Sequence, residues 1–339
     1  MSSKGAGSNI KAAPKRELRV GVVGAGVMGS NHARVLTGLP DIRLVGVVDP
    51  LLAHRTRATE LTDCRTFASL AELVAEGVDA VTIAAPTHLH HEIALACIAH
   101  GVHVLVEKPI ASTVDEGREI VAAAERAGVS LMVGHVERFN PAVAAIKKAI
   151  EGEDILSIAI TRVGPFPPRM SNVGVVIDLA VHDIDLIRWF TESDIIEVQP
   201  QLSSAVAERE DIALLQFRTA SGVLAHINTN WLTPFKARNV TVATRGKYVM
   251  GDLLTRQVTE CFGFKPDGSY SMRHLPVGHD EPLRAELIAF AHAVRTGTSP
   301  AVTGDEGVAS LEIATQCLEK STRHAVVPSA HKGPRRVVG

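Results

Sequence analysis

The stretch from Val20 to Leu36, VGVVGAGVMGSNHARVL, decides the first half of the fold. An apolar, β-branched run stops at Gly24 and a helical pattern takes over. Gly24, Gly26 and Gly29 stand in the spacing G-x-G-x-x-G. Where a buried strand turns into a helix, each glycine has its own task. Gly24 permits the tight turn, Gly26 lets backbone approach a pyrophosphate, and Gly29 lets the helix pack on the strand. The free N–H groups at the helix start then face the phosphates. Gly24, Ala25, Gly26, Val27, Met28 and Gly29 are therefore the candidate dinucleotide loop. Asp49 ends the next strand, IRLVGVVD, 20 residues beyond Gly29, where a carboxylate binds the adenosine ribose hydroxyls. A carboxylate there repels a 2′-phosphate, and Pro50 and Leu51 supply no cation. NAD is thus favoured over NADP, a preference tempered by Arg55 and Arg57 close by in sequence.

Outward from this stretch, short apolar runs alternate with helical ones as far as about residue 150. DAVTIAA, VHVLVEK and VSLMVGH are each preceded by a helical segment. Strands apolar on both faces and spaced by helices predict a parallel sheet covered on both sides. The rhythm then changes. ILSIAITRV, IALLQFRTA, GVLAHINTNWL, NVTVATRG, KYVMGDL and RQVTECFGF follow one another, several of them alternating apolar and polar as an antiparallel sheet with one open face does. Two helices, near Glu281–Thr296 and Gly304–Arg323, close the chain. The expected fold class is α/β: a doubly wound parallel sheet of Rossmann type over residues 18–140, then an α+β domain with a large open, mostly antiparallel sheet over 141–325. Residues 1–17 and 326–339 read as loose tails.

Composition narrows the function classes. The 339 residues carry a net charge of −2, which gives no electrostatic reason to expect nucleic acid or an anionic membrane as partner. No run of 18 apolar residues predicts a transmembrane helix, and the N-terminal residues lack the apolar core of a secretory signal. Cys64, Cys97, Cys261 and Cys317 are scattered, as reduced cytoplasmic thiols would be. A cytoplasmic protein is expected.

Two further stretches carry chemistry. VLVEKPIA ends a buried strand with Glu107-Lys108-Pro109, and ligands in open α/β sheets bind beyond the carboxyl ends of the strands. Lys108 therefore points toward the nicotinamide end of the cleft. GVVIDLAVHDIDLIRWF, Gly174–Phe190, places Asp178 and His182 one helical turn apart on one face. The pair reads either as a helix N-terminus with a packed imidazole or as a base beside a carboxylate.

Taken together, the glycine loop, the EKP triplet and G-x-x-x-D-x-x-x-H resemble the glucose–fructose oxidoreductase/inositol dehydrogenase (Gfo/Idh/MocA) family from about Leu18 to Arg323. That resemblance implies that Lys108, Asp178 and His182 meet around the substrate carbon that exchanges hydride, with Glu107 beside the cofactor, and that the Lys108–Pro109 bond is cis. One departure is GVHV, Gly101–Val104, where the family usually has GKHV; that lysine is not catalytic. The residue types suit the chemistry: a neutral imidazole takes a proton near pH 7, while an ammonium stabilises alkoxide charge. Lysine as the base, with the histidine supporting, remains an alternative. Asp178 would orient the imidazole or the sugar.

VGHVERFNP and TRVGPFPPR, with the Asp178 stretch, resemble the UDP-N-acetylglucosamine 3-dehydrogenases within that family. This implies oxidation of the sugar 3-hydroxyl to a ketone that a partner aminotransferase aminates, in synthesis of lipid A or another surface glycan. Arg138 and Asn140 would lie near the substrate and Arg169 at its diphosphate; His135 is a possible pocket residue. The alternatives are a dehydrogenase of another sugar, an inositol or a UDP-sugar uronic acid, and an inactive NAD-binding regulator on the same scaffold. In THLHHE, Thr87–Glu92, three histidines lack the second cluster a metal site needs, so no metal is expected. Pro86, Thr87 and His90 are assigned to the nicotinamide side of the cleft. Trp231, Lys236 and Arg238 read either as a base-stacking and phosphate-binding group or, preferably, as an oligomer contact on the open sheet, giving a homodimer or homotetramer.

Overall fold

The computed structural model describes residues 16–167 and 173–321. The first sheet contains β1 (Leu18–Val23), β2 (Ile42–Val48), β3 (Thr66–Phe67), β4 (Ala80–Ile83), β5 (His103–Glu107) and β6 (Leu131–Gly134). All pair in parallel, in the spatial order β3-β2-β1-β4-β5-β6. The helices α1 (Val27–Thr37), α2 (Leu52–Thr62), α3 (Leu70–Ala75), α4 (His90–Ala99) and α5 (Val114–Ala127) connect them. β4, β5 and β6 are buried almost throughout, which explains their unbroken apolar sequence. The order reverses between β1 and β4, which opens a crevice at the carboxyl ends of these strands.

After α6 (Pro141–Ala149) the chain enters β7 (Ile155–Pro165), then α7 (Val181–Thr191), β8 (Ile195–Ser203), β9 (Ile212–Thr219), β10 (Leu224–Asn230), β11 (Leu232–Thr244), β12 (Lys247–Asp252), β13 (Gln257–Phe262) and β14 (Ser271–Leu275). These eight strands form one sheet in the order β14-β13-β12-β11-β7-β10-β9-β8, antiparallel except for the β7–β10 pair. Ile158, Ile160, Leu215, Phe217, Ile227, Val240 and Val242 face a core with α7. The opposite face exposes Leu214, Leu224, Tyr248, Met250 and Met272. Strands β3, β8 and β14 were not among the strand-like runs of the sequence.

α8 (Pro282–Thr296) and α9 (Gly304–Lys320) return to the first sheet. Leu283, Leu287 and Phe290 of α8 join the core of the dinucleotide-type domain. α9 divides its buried side chains between the two cores: Val308 and Leu311 enter the first, Ile313, Ala314 and Cys317 the second. All four cysteines are free, and burial pushes the Cys97 and Cys317 thiols up to about 12. No helix among the described residues is long and apolar enough to cross a membrane.

Candidate active site

The glycine loop has the geometry its sequence demands. Gly24 has φ +97°, and a Cβ there would lie 2.7 Å from the Ala84 carbonyl oxygen. A Cβ on Gly29 would strike the Gly24 carbonyl. Gly26, the residue before α1, has open space where its Cβ would stand, so the helix N-terminus is accessible to a phosphate. Asp49 is nearly buried and accepts from the Ala25 amide (2.9 Å), the Leu51 amide (2.9 Å) and the ring of His54 (3.1 Å). Burial opposes its charge, but these donors hold its pKa below the usual carboxylate range. The Asp49 carboxylate is thus tied to the loop, and the Arg55 guanidinium sits against the Asp49 carbonyl at 2.7 Å. These residues fit a dinucleotide.

At the far side of the crevice Lys108, Asp178 and His182 come together. Lys108 directly follows β5, and its bond to Pro109 is cis. Its Nζ donates to the Asp178 carbonyl at 2.6 Å and meets the Asp178 carboxylate at 3.2 Å. Asp178 therefore holds the lysine rather than the imidazole. It stands in a wide π-helical turn, Val176–Ala180, that leads into α7, where the sequence predicts an ordinary helix. Such turns recur at functional sites because they displace backbone groups from the regular ladder, and here the displaced carbonyl receives the lysine. Gly174 lets this turn approach Glu210, since a Cβ would meet the Glu210 carboxylate at 1.9 Å.

His182 is partly exposed, with Nδ1 buried and without a hydrogen-bond partner. Its pKa lies well below the ordinary imidazole value, first through burial, then through the charges of Lys108, Arg162 and Arg238 and the neighbouring His135. That lowering keeps the imidazole neutral at pH 7. His135 packs edge-on against it, 6.1 Å between ring centroids. His135 is itself buried, and burial lowers its pKa; it forms the floor behind His182.

Other expected site residues are placed differently. Glu107 turns away from the crevice into the interior, where its carboxylate meets His32 Nε2 at 2.9 Å. Pro86 and Thr87 lie on the loop after β4, but His90 is buried. Its ring stands 2.9 Å from the Ala85 carbonyl and 3.0 Å from that of Pro109, bridging two loops; a neutral ring donates to one of them. Arg138 is also buried, with a fork on Asp185 (2.6 and 2.7 Å) and a third N–H on Glu306 at 2.7 Å. Asn140 caps α6 through the Ala142 amide and donates to the Leu253 carbonyl. Neither is available to a substrate; both lock the segment after β6 onto its neighbours. Arg169 lies outside the described residues. Trp231 is buried edge-on against Phe166, centroids 5.8 Å apart, and is neither a stacking platform nor an oligomer contact.

Beneath the cluster lies a buried ionic network that local sequence patterns do not reveal. Arg162 of β7 donates to both oxygens of Asp183 (2.7–3.0 Å) and to Glu137 at 2.8 Å. Arg238 of β11 donates to the same Glu137 oxygen at 2.8 Å. Burial works against the Arg162 charge, but Asp183 and Glu137 raise its pKa further above the ordinary value. Arg238 stands opposite Arg162 in the sheet register, in line with Val240 and Val242 on the covered face. It is therefore on the side of the Lys108–Asp178–His182 cluster and not on the open face. Its side chain keeps about a third of its exposure, and its electrostatic neighbours include Asp178.

Residues 18–135 match the oxidoreductase family's NAD-binding Rossmann fold, and residues 155–249 match the GFO/IDH/MocA C-terminal domain. The chain is 31% identical to an inositol 2-dehydrogenase of Rubrobacter xylanophilus over 321 residues, 89% of this chain and 90% of that one. It belongs to the Gfo/Idh/MocA oxidoreductase family. Within that family it is 30% identical to the UDP-N-acetylglucosamine 3-dehydrogenase of Acidithiobacillus ferrooxidans over 70% of this chain and 74% of the relative. A solved structure of that enzyme superposes with a TM-score of 0.83 at 26% identity, covering 89% of this chain and 97% of the other. GenD2 from gentamicin A biosynthesis, solved in complex with NAD, superposes with a TM-score of 0.77 at 25% identity, covering 94% and 97%. The chain is accordingly an NAD-dependent oxidoreductase, with the Rossmann domain as its cofactor module.

Proposed function

We propose that this oxidoreductase removes a hydride and a proton from a secondary alcohol of a sugar nucleotide, the 3-hydroxyl of UDP-N-acetylglucosamine. The observation that carries the reaction is the convergence of Lys108, Asp178 and His182 across the crevice from the glycine loop. NAD supplies the hydride acceptor when bound. His182, uncharged, takes the hydroxyl proton as the carbonyl double bond forms. Lys108 donates a hydrogen bond to the same oxygen and stabilises its developing negative charge. Asp178 holds the ammonium in place from behind. Arg238 supports an anionic substrate: apart from the bond to Glu137, its N–H groups have no partner among the described residues, and the arginine fork suits phosphate.

A product ketone of this kind would suit a separate aminotransferase, in the cytoplasm where nucleotide sugars and NAD meet. Purified protein with NAD and UDP-N-acetylglucosamine, with and without a 3-aminotransferase and amino donor, is expected to form NADH and the keto or amino sugar, read by absorbance and mass spectrometry. The second reading, an inositol dehydrogenase, is supported by the longer match to the inositol 2-dehydrogenases. NADH formed with inositol, and none with the sugar nucleotide in either arm, would replace the first reading by the second. We further propose that two or four copies associate through the exposed Leu214, Leu224, Tyr248 and Met250 face. Light scattering is expected to give a multiple of 36.1 kDa; a monomer at micromolar concentration would remove that proposal.

A further inference from the structure

Behind Lys108, three ionisable side chains from three separate elements meet inside the protein. His32 comes from α1, Glu107 from the end of β5 and Glu286 from α8. His32 and Glu286 are fully buried and Glu107 is 7% exposed. One polar atom from each lies within 4.8 Å of the other two. His32 Nε2 and Glu107 share a hydrogen bond of 2.9 Å, and the Lys108 amide donates to the other Glu107 oxygen at 3.3 Å. His32 Nδ1 and both oxygens of Glu286 have no hydrogen-bond partner.

The charges of this group can be assigned by elimination. Two ionised carboxylates and a neutral imidazole would place two negative charges in an apolar interior, and an unpaired buried charge costs several kcal/mol. Glu107 has what it needs to stay ionised: the His32 ring, the Lys108 amide and the Lys108 ammonium nearby. Glu286 has none of these. The groups that face it are His32 from α1 and Glu107 from β5; Glu137 and Arg138, on the segment after β6 that packs on α8, spend their charges on Arg162, Asp185 and Glu306. Arg34 and Glu281 pair with each other at the surface. Both Glu286 oxygens lack any donor that could hold an ionised carboxylate, whereas Glu107 has two, so the proton belongs on Glu286.

We propose that Glu286 is carried as a neutral carboxylic acid in the working enzyme, and that with His32 and Glu107 it holds a single negative charge fixed beneath Lys108. Glu107 is thus a positioning residue for the lysine, and Glu286 is its uncharged neighbour. The role in turnover rests on the reading of Lys108 given above; the protonation of Glu286 does not. A group with a raised folded-state pKa stabilises fully below its unfolded value and loses that contribution as pH rises through the folded value. Burial and the Glu107 charge raise Glu286 in this sense.

The test compares full-length wild type with Glu286→Gln and Glu107→Gln. Glutamine reproduces the neutral acid in shape and removes its ionisation. The expected result is a Tm for Glu286→Gln close to wild type at pH 5 and higher by at least about 5 °C at pH 9. In kinetics, Glu107→Gln is expected to lower kcat by about tenfold with KM little changed, because Lys108 loses the charge fixed beneath it. A Tm difference independent of pH would overturn the neutral acid. So would a stoichiometric divalent cation, found by elemental mass spectrometry in wild type and lost in Glu286→Gln, because the ligand would then be ionised. An unchanged kcat in Glu107→Gln beside the expected Tm behaviour would instead remove the effect on Lys108 and leave the neutral Glu286 standing.

Discussion

Lys108→Met is expected to lower kcat by about 10²–10³-fold and to move the acidic limb of the pH profile upward. The first effect follows from loss of the only ammonium in the Lys108–Asp178–His182 cluster, the one donor placed for an oxygen that gains negative charge. The second follows from the same charge acting on His182. Burial and Lys108 are the two largest causes of its lowered pKa. With the cation gone the imidazole accepts a proton more readily, and the base is lost at a higher pH than in wild type. The window is set by that lowered value: in wild type the limb lies below pH 6.5, the ordinary value for histidine. His182→Asn distinguishes the two assignments of the base. If it costs less than about threefold, lysine is the base; a loss of about 10²–10⁴-fold supports histidine.

Arg162→Met is expected to destabilise the protein by about 3–5 kcal/mol, the usual cost of leaving a buried partner uncompensated. Arg162 satisfies both oxygens of Asp183 and one of Glu137, all three buried. Without it the two carboxylates face each other with Arg238 alone, and that arginine reaches only Glu137. Adding Asp183→Asn to Arg162→Met is expected to recover part of the loss, because a neutral amide replaces the stranded charge. Urea unfolding of the two variants checks both statements. A loss below about 1 kcal/mol for Arg162→Met would mean that Asp183 is neutral in the folded protein. Because the Arg162 charge also helps lower the His182 pKa, the same variant should also raise the acidic limb.

These two predictions rest on residues of very different legibility. Lys108 was visible because a charged pair closing an apolar strand breaks a local pattern, and the glycines were visible because each meets a steric demand within a few residues. Arg162, Glu137 and Asp183 break apolar patterns too, but their partners lie 21 and 25 residues away and are joined only by the sheet and α7. A charge that is paired inside cannot be told from one that is solvated until the partner is known. His32 had the clearest signal among the missed residues: it stands one turn past Gly29 on a helix that packs on the sheet. Arg138 and Asn140 erred in the opposite direction, polar residues on a loop at the carboxyl ends of strands that turned out to be fasteners. The missed strands have similar causes. β14 exposes four of its five residues and so shows no alternation, β3 has only two residues, and β8 carries Pro200.

The return of α8 and α9 to the first sheet has a consequence for how the protein is made. A ribosome delivers all six parallel strands, and then the whole second sheet, before Leu283, Leu287 and Phe290 emerge to complete the first core. The cofactor domain is thus discontinuous in sequence, with the second domain inserted into it. A chain cut near residue 140 would have every glycine of the nucleotide loop and still lack one wall of its own interior. The first half to be synthesised is the last to be finished.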